Sequence, residues 1–98
     1  MNHYMVIITL PRTLTEEFLS LIPHQRAHVD GLMNSGMIAS YSLSIERSRL
    51  WVTMVCESEH KVRELIDKFP LRRYMEIDIA ELVLHKTLAL GLPQMFMN

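Results

Sequence analysis

The chain has 98 residues, enough for one domain around a single hydrophobic core. Apolar residues make up 49% of it, which argues against disorder, and a formal net charge of -1 argues against nucleic acid as the main partner. The lone cysteine, Cys56, has no intrachain partner for a disulfide, which fits a reducing cytoplasm.

Residues 3–10 read as a strand that is apolar in both phases, the pattern of a central strand covered on two faces. Pro11 ends it, so the run is too short for a signal-peptide core or a membrane span. A soluble, cytoplasmic protein without a membrane partner is expected. Thr13 and Glu16 have the spacing of a capping box. Beyond them Phe18, Leu21, Ile22, Val29, Leu32 and Met33 fall on one helical stripe. This predicts a helix over about 14–35, bent near Ser20 by Pro23 and stopped by Gly36.

From Met37 the side chains alternate, with Ala39, Tyr41, Leu43 and Ile45 on one face and Ser40, Ser42 and Ser44 on the other. Glu46-Arg47-Ser48 is a turn, and Arg49 to Cys56 returns as a second strand, apolar in both phases. Ser58 caps a second helix that buries Val62, Leu65, Ile66 and Phe69 and closes at Pro70. A last strand starts near Tyr74. Its apolar phase slips from Ile79 to Leu82, which predicts a bulge near Ala80-Glu81.

The order β-α-β-β-α-β is that of a ferredoxin-like α+β sandwich, a four-stranded antiparallel sheet with two helices on one face. Residues 1–86 complete it and 87–98 form a tail. One sheet face stays uncovered and apolar, and the tail carries Leu88, Leu90, Leu92 and Phe96. Both features predict a homo-oligomer, a dimer or larger, with sheets packed between subunits and the tail on a neighbour.

One stretch resembles a known family. Pro70-Leu71, then Tyr74-Met75-Glu76-Ile77-Asp78-Ile79, then Leu82 and His85, is similar to the corresponding run of muconolactone Δ-isomerases. Arg72-Arg73 stand where that family has Phe-Pro. The resemblance implies a ferredoxin-like chain of the dimeric α/β-barrel type. It also implies a double-bond shift in a small unsaturated lactone bearing a carboxylate, in aromatic compound catabolism, with neither metal nor organic cofactor.

Such a shift needs a base, a donor for the developing dienolate oxygen and a cation for the carboxylate. His85, Glu76 and Tyr74 are the candidates for proton transfer. Arg72, Arg73, Arg26, His28 and Ser42 are the candidates for holding a small anionic ligand. Most have a plainer alternative: a solvated helix flank for Arg26 and His28, surface pairing with Glu76 and Asp78 for Arg72 and Arg73, a solvent-facing position for Glu76, a polar strand face for Ser42, and a structural role for His85. Tyr41 reads as a core aromatic.

His24 and His28 are four apart on a helix, but no third ligand accompanies them, so no metal is expected. Three glycines, Gly31, Gly36 and Gly91, make no phosphate loop, and Cys56 reads as a small hydrophobe. Two other functions fit the same scaffold: a non-catalytic small-molecule binder, and another cofactor-free enzyme acting on an aromatic or polyketide-like substrate.

Overall fold

The computed structural model describes residues 1–86. In chain order they form β1 (Asn2–Thr9), α1 (Glu16–Asn34), β2 (Ile38–Leu43), β3 (Arg49–Cys56), α2 (Glu59–Ile66), a single 3-10 turn at Arg72–Tyr74, and β4 (Glu76–Leu82). The strands make one antiparallel sheet in the order β2-β3-β1-β4. This is the ferredoxin-like β-α-β-β-α-β arrangement. β1 and β3 are central, which is why both are apolar in both phases. The expected tail over 87–98 lies outside the described residues. Among the described residues, no helix is long and apolar enough to cross a membrane.

Alternation sorts the sheet into two faces. Tyr4, Val6 and Ile8 of β1 and Leu50, Val52 and Met54 of β3 are buried beneath the helices. Each such side chain contributes on the order of 1.5–3 kcal/mol when fully withdrawn from water. The other face carries His3, Met5, Ile7 and Val55, half-buried, and Trp51 and Thr53 beside them. Thr53 is buried there and donates to Met5 Sδ at 3.9 Å.

α1 is uninterrupted over 19 residues. Pro23 removes one N–H and does not split the helix. Its cap is Thr15 rather than Thr13: Thr15 Oγ1 accepts from the Phe18 N–H at 3.1 Å, and Glu16 and Glu17 complement the positive helix end. The C-terminus closes as a Schellman motif. Gly36, at φ 83°, donates to Met33 O, and Met37 donates to Leu32 O.

The predicted bulge in β4 is absent. β1 and β4 stay in continuous register from Thr9 opposite Glu76 to His3 opposite Leu82. The bulge lies in β2 instead, where Ile38 faces Met54 and Ser40 faces Thr53, leaving Ala39 unpaired. It switches the parity of the strand. Ile38, not Ala39, is buried, and beyond the bulge Tyr41 and Leu43 turn to the helix side while Ser40 and Ser42 face the open side.

α2 is capped by Ser58 Oγ, which accepts from Lys61 N–H at 3.1 Å, and it buries Val62 and Ile66. The segment behind it buries Phe69, Leu71 and Met75. Tyr74 belongs to the 3-10 turn, so β4 starts two residues later than the alternation suggested.

Candidate functional site

Between α1 and the sheet, at the end where the β2–β3 turn meets the loop after β1, there is a pocket of about 150 Å³. Phe18 and Ile22 of α1 face Leu43 and Leu50 of the sheet across it. Four polar side chains complete the lining: Gln25, Arg26, Tyr41 and Arg47. The local reasons are simple. Gln25 follows Leu21 by four residues and precedes Val29 by four, so the helix carries it to the sheet side. Tyr41 is there because the β2 bulge set its phase.

Gln25 is only 4% exposed. Its Oε1 accepts from the Leu71 N–H at 3.1 Å and so ties α1 to the segment before β4. Its Nε2 is buried without a formed hydrogen bond. A buried amide donor without a formed hydrogen bond is uncommon in a folded protein. Burial pushes the Tyr41 phenol up, and the neighbouring Gln25 amide offsets part of the rise. At neutral pH Tyr41 is therefore a protonated hydrogen-bond donor. Among the described residues, the guanidinium groups of Arg26 and Arg47 make neither an ion pair nor a hydrogen bond. One turn on from Gln25, His28 sets its ring edge-on to Phe69 at 5.5 Å, with Nε2 buried and unpartnered.

The residues singled out in the sequence do not converge on one place. Arg72 donates to Asp67 Oδ1 and to the Met75 carbonyl, both at 3.0 Å. Arg73 is ion-paired with Glu17, and Tyr74 donates to Glu17 Oε1 at 2.7 Å. Arg73 also donates to Tyr74 Oη at 2.9 Å. The Tyr74 hydrogen bond, and then Arg73, hold the Glu17 carboxyl below the usual range. This trio latches the first turn of α1 to the 3-10 turn, with the Tyr74 ring edge-on to Phe18 at 5.2 Å. Arg72 and Arg73 thus pair with Asp67 and Glu17, not with Glu76 and Asp78.

Glu76 and Ser42 lie exposed on the open sheet face, opposite Thr9 and Trp51 respectively. His85, beyond the far end of β4, stacks on His3 with ring centroids 5.1 Å apart. Glu76 and Leu82 are six strand positions apart, roughly 20 Å, so Glu76 and His85 cannot act on one atom within a protomer. Arg26 alone of the eight lines the pocket, and His28 sits one turn from it. Gln25, Tyr41 and Arg47 were not singled out. A glutamine inside an apolar helical stripe was the signal for the first.

Among the described residues no group of three His, Cys, Asp or Glu side chains gathers as a metal site. Cys56 is buried, and burial raises its thiol above the usual range. No protein family and no curated protein matches the chain.

Proposed function

We propose that the protein binds a small, anionic, unsaturated organic molecule in the pocket between α1 and the sheet. The carrying observation is the pairing of two neutral donors, the Gln25 amide and the protonated Tyr41, in a mainly apolar pocket that Arg26 and Arg47 also line. Two neutral donors suit a carbonyl or enolate oxygen, and two guanidiniums suit a carboxylate. Together with the resemblance of residues 70–85 to muconolactone Δ-isomerases, this supports a cofactor-free double-bond shift in a carboxylated lactone.

In that reaction a base takes a proton from a carbon conjugated with the lactone carbonyl. Tyr41 and Gln25 hold the dienolate oxygen, and the protonated base, after exchange with solvent, delivers a proton to another carbon of the conjugated system. The reading assigns His28 as the base, since its buried Nε2 has no partner and i, i+3 spacing puts it beside Gln25 on the helix. A second reading, binding without turnover, is favoured by one observation: no carboxylate or imidazole lines the pocket.

The same reading takes the open sheet face, with Met5, Ile7 and Val55 on it, as the surface that meets a second copy of the chain. The buried lone thiol supports a cytoplasmic location.

The test is NMR of muconolactone with the protein in D2O, with light scattering to give the oligomeric state. Isomerised lactone carrying deuterium at the shifted carbon, lost in His28→Gln, supports the isomerase. Line broadening that Tyr41→Phe weakens, without turnover, leaves the binding reading. Neither turnover nor broadening rules out muconolactone as the ligand.

A further inference from the structure

Two further hollows adjoin the inner pocket at its outer end. One, of about 260 Å³, shares Leu14 and Arg47 with it. The next, of about 410 Å³, shares Arg12, Glu46 and Ser48 with the second and runs on to Arg49 and Trp51. The three hollows adjoin one another in a row, from the Gln25–Tyr41 end, around the β2–β3 turn, to the Trp51 indole.

Charge follows this row. The chain has seven arginines. Arg63, Arg72 and Arg73 are ion-paired. Among the described residues the other four, Arg12, Arg26, Arg47 and Arg49, have no ion pair, and all four line these hollows. The one carboxylate in the lining, Glu46, accepts from Ser48 Oγ at 3.0 Å. Four guanidiniums therefore face one carboxylate. Solitary unpaired arginines on a surface are ordinary, but four of them lining adjoining hollows make a positive channel.

Arg47 is where the inner and outer parts join. At φ 66° it is the one non-glycine residue with positive φ among those described. The turn fixes it there: Arg47 N–H donates to Ser44 O, and the N–H groups of Ser48 and Arg49 both donate to Ser44 Oγ. Glycine would adopt this conformation without strain. An arginine kept at a glycine position, between two hollows, points to a use for its side chain.

Resting on the pocket reading above, we infer that the ligand has two parts: a compact apolar head in the inner pocket and an extended tail with more than one negative charge, laid past Arg47 along Arg12 and Arg49 to Trp51. A cavity of about 150 Å³ admits a single benzene-sized ring. The rest of such a molecule must leave through the positive channel.

Trp51 is the only tryptophan, so its fluorescence reports the outer end alone. The probes are 3-phenylpropionate, with a ring and one carboxylate, and 3-phenylpropyl diphosphate, with the same ring and a polyanionic tail. Calorimetry of the full chain is expected to show the two competing, the diphosphate binding at least about ten-fold more tightly, as charge-assisted contacts imply. The diphosphate alone should change Trp51 emission. Arg12→Ala with Arg49→Ala should remove the ten-fold advantage and leave phenylpropionate unchanged. Arg47→Gly should weaken the diphosphate while melting no lower than the parent chain, which separates binding from folding.

Equal affinities with Trp51 unmoved overturn the inference and leave the inner pocket standing. Inorganic diphosphate that changes Trp51 emission as fully as the tailed probe, with no gain from the ring, also overturns it. Failure of both probes to bind overturns the pocket reading and the inference together.

Discussion

Arg72 and Arg73 are neighbours in sequence, whereas Arg26 and Arg47 come from a helix and a turn far apart in the chain. The adjacent pair looks like a ready-made clamp, yet each member is spent on the fold: Arg72 on Asp67 and the Met75 carbonyl, Arg73 on Glu17. The distant pair meets at one pocket and has no acidic partner among the described residues. A cation that already holds a carboxylate must release it before gripping a ligand. Proximity in sequence is therefore a poor guide to which arginines are available, and the difference can be tested directly.

The largest effect is expected in binding. Arg26→Ala with Arg47→Ala should weaken muconolactone, or 3-phenylpropionate as a surrogate, by at least about ten-fold in calorimetry, since charge-assisted hydrogen bonds contribute about 1.5–3 kcal/mol each. Arg72→Ala with Arg73→Ala should leave that affinity within about two-fold. If the two double variants exchange these outcomes, the comparison is inverted and the site lies at the 3-10 turn.

Next comes Gln25, which serves the fold through Oε1 and the pocket through Nε2. Gln25→Leu should cost about 1–3 kcal/mol in urea unfolding, because it strands the buried Leu71 N–H. An unchanged midpoint would mean that water replaces the amide. Arg72→Ala should cost less, about 1 kcal/mol, because it removes a partly exposed ion pair and a bond to a carbonyl. A thermal melt shows this, with affinity unaltered.

The smallest effect is pH-dependent. Glu17 is held below the ordinary carboxylate range by Tyr74 and Arg73, so it binds its proton more weakly in the folded than in the unfolded chain. Its stabilisation is complete above the ordinary glutamate range and disappears as pH falls through the lowered folded value. The melting-temperature gap between the parent and Glu17→Gln should therefore be present at neutral pH and close in acid. A gap that stays constant down to strong acid would show that the latch does not depend on the Glu17 charge.

Most of the element order was legible from periodicity. The double-phase apolarity of β1 and β3 marks central strands, and the stripe over α1 marks its buried side. The details that failed were local choices between equivalent signals. Thr13 and Thr15 both precede the helix, and only the formed bond to Phe18 shows which one caps it. The phase change that suggested a bulge in β4 needs none, because Leu82 turns to the open face in continuous register opposite His3. The real bulge at Ala39 is silent in the sequence, although it is what turns Tyr41 toward the pocket. Of the candidate site, Arg26 could be read as a helix-flank cation. Gln25 could not be assigned, because its partner Leu71 is distant in the chain and the meeting is made only by folding.

By itself the sequence determined the alternation of strands and helices, the two central strands and the glycine stop at Gly36. These follow from short-range periodicity and backbone preference, which act within a few residues. Only the tertiary structure decided which charges are consumed and which stay available. Glu17 reaches Arg73, Gln25 reaches Leu71, and the β2–β3 turn brings Arg47 to α1. Ion pairs and pockets depend on distances of a few ångströms between residues remote in the chain, and no local pattern encodes such distances.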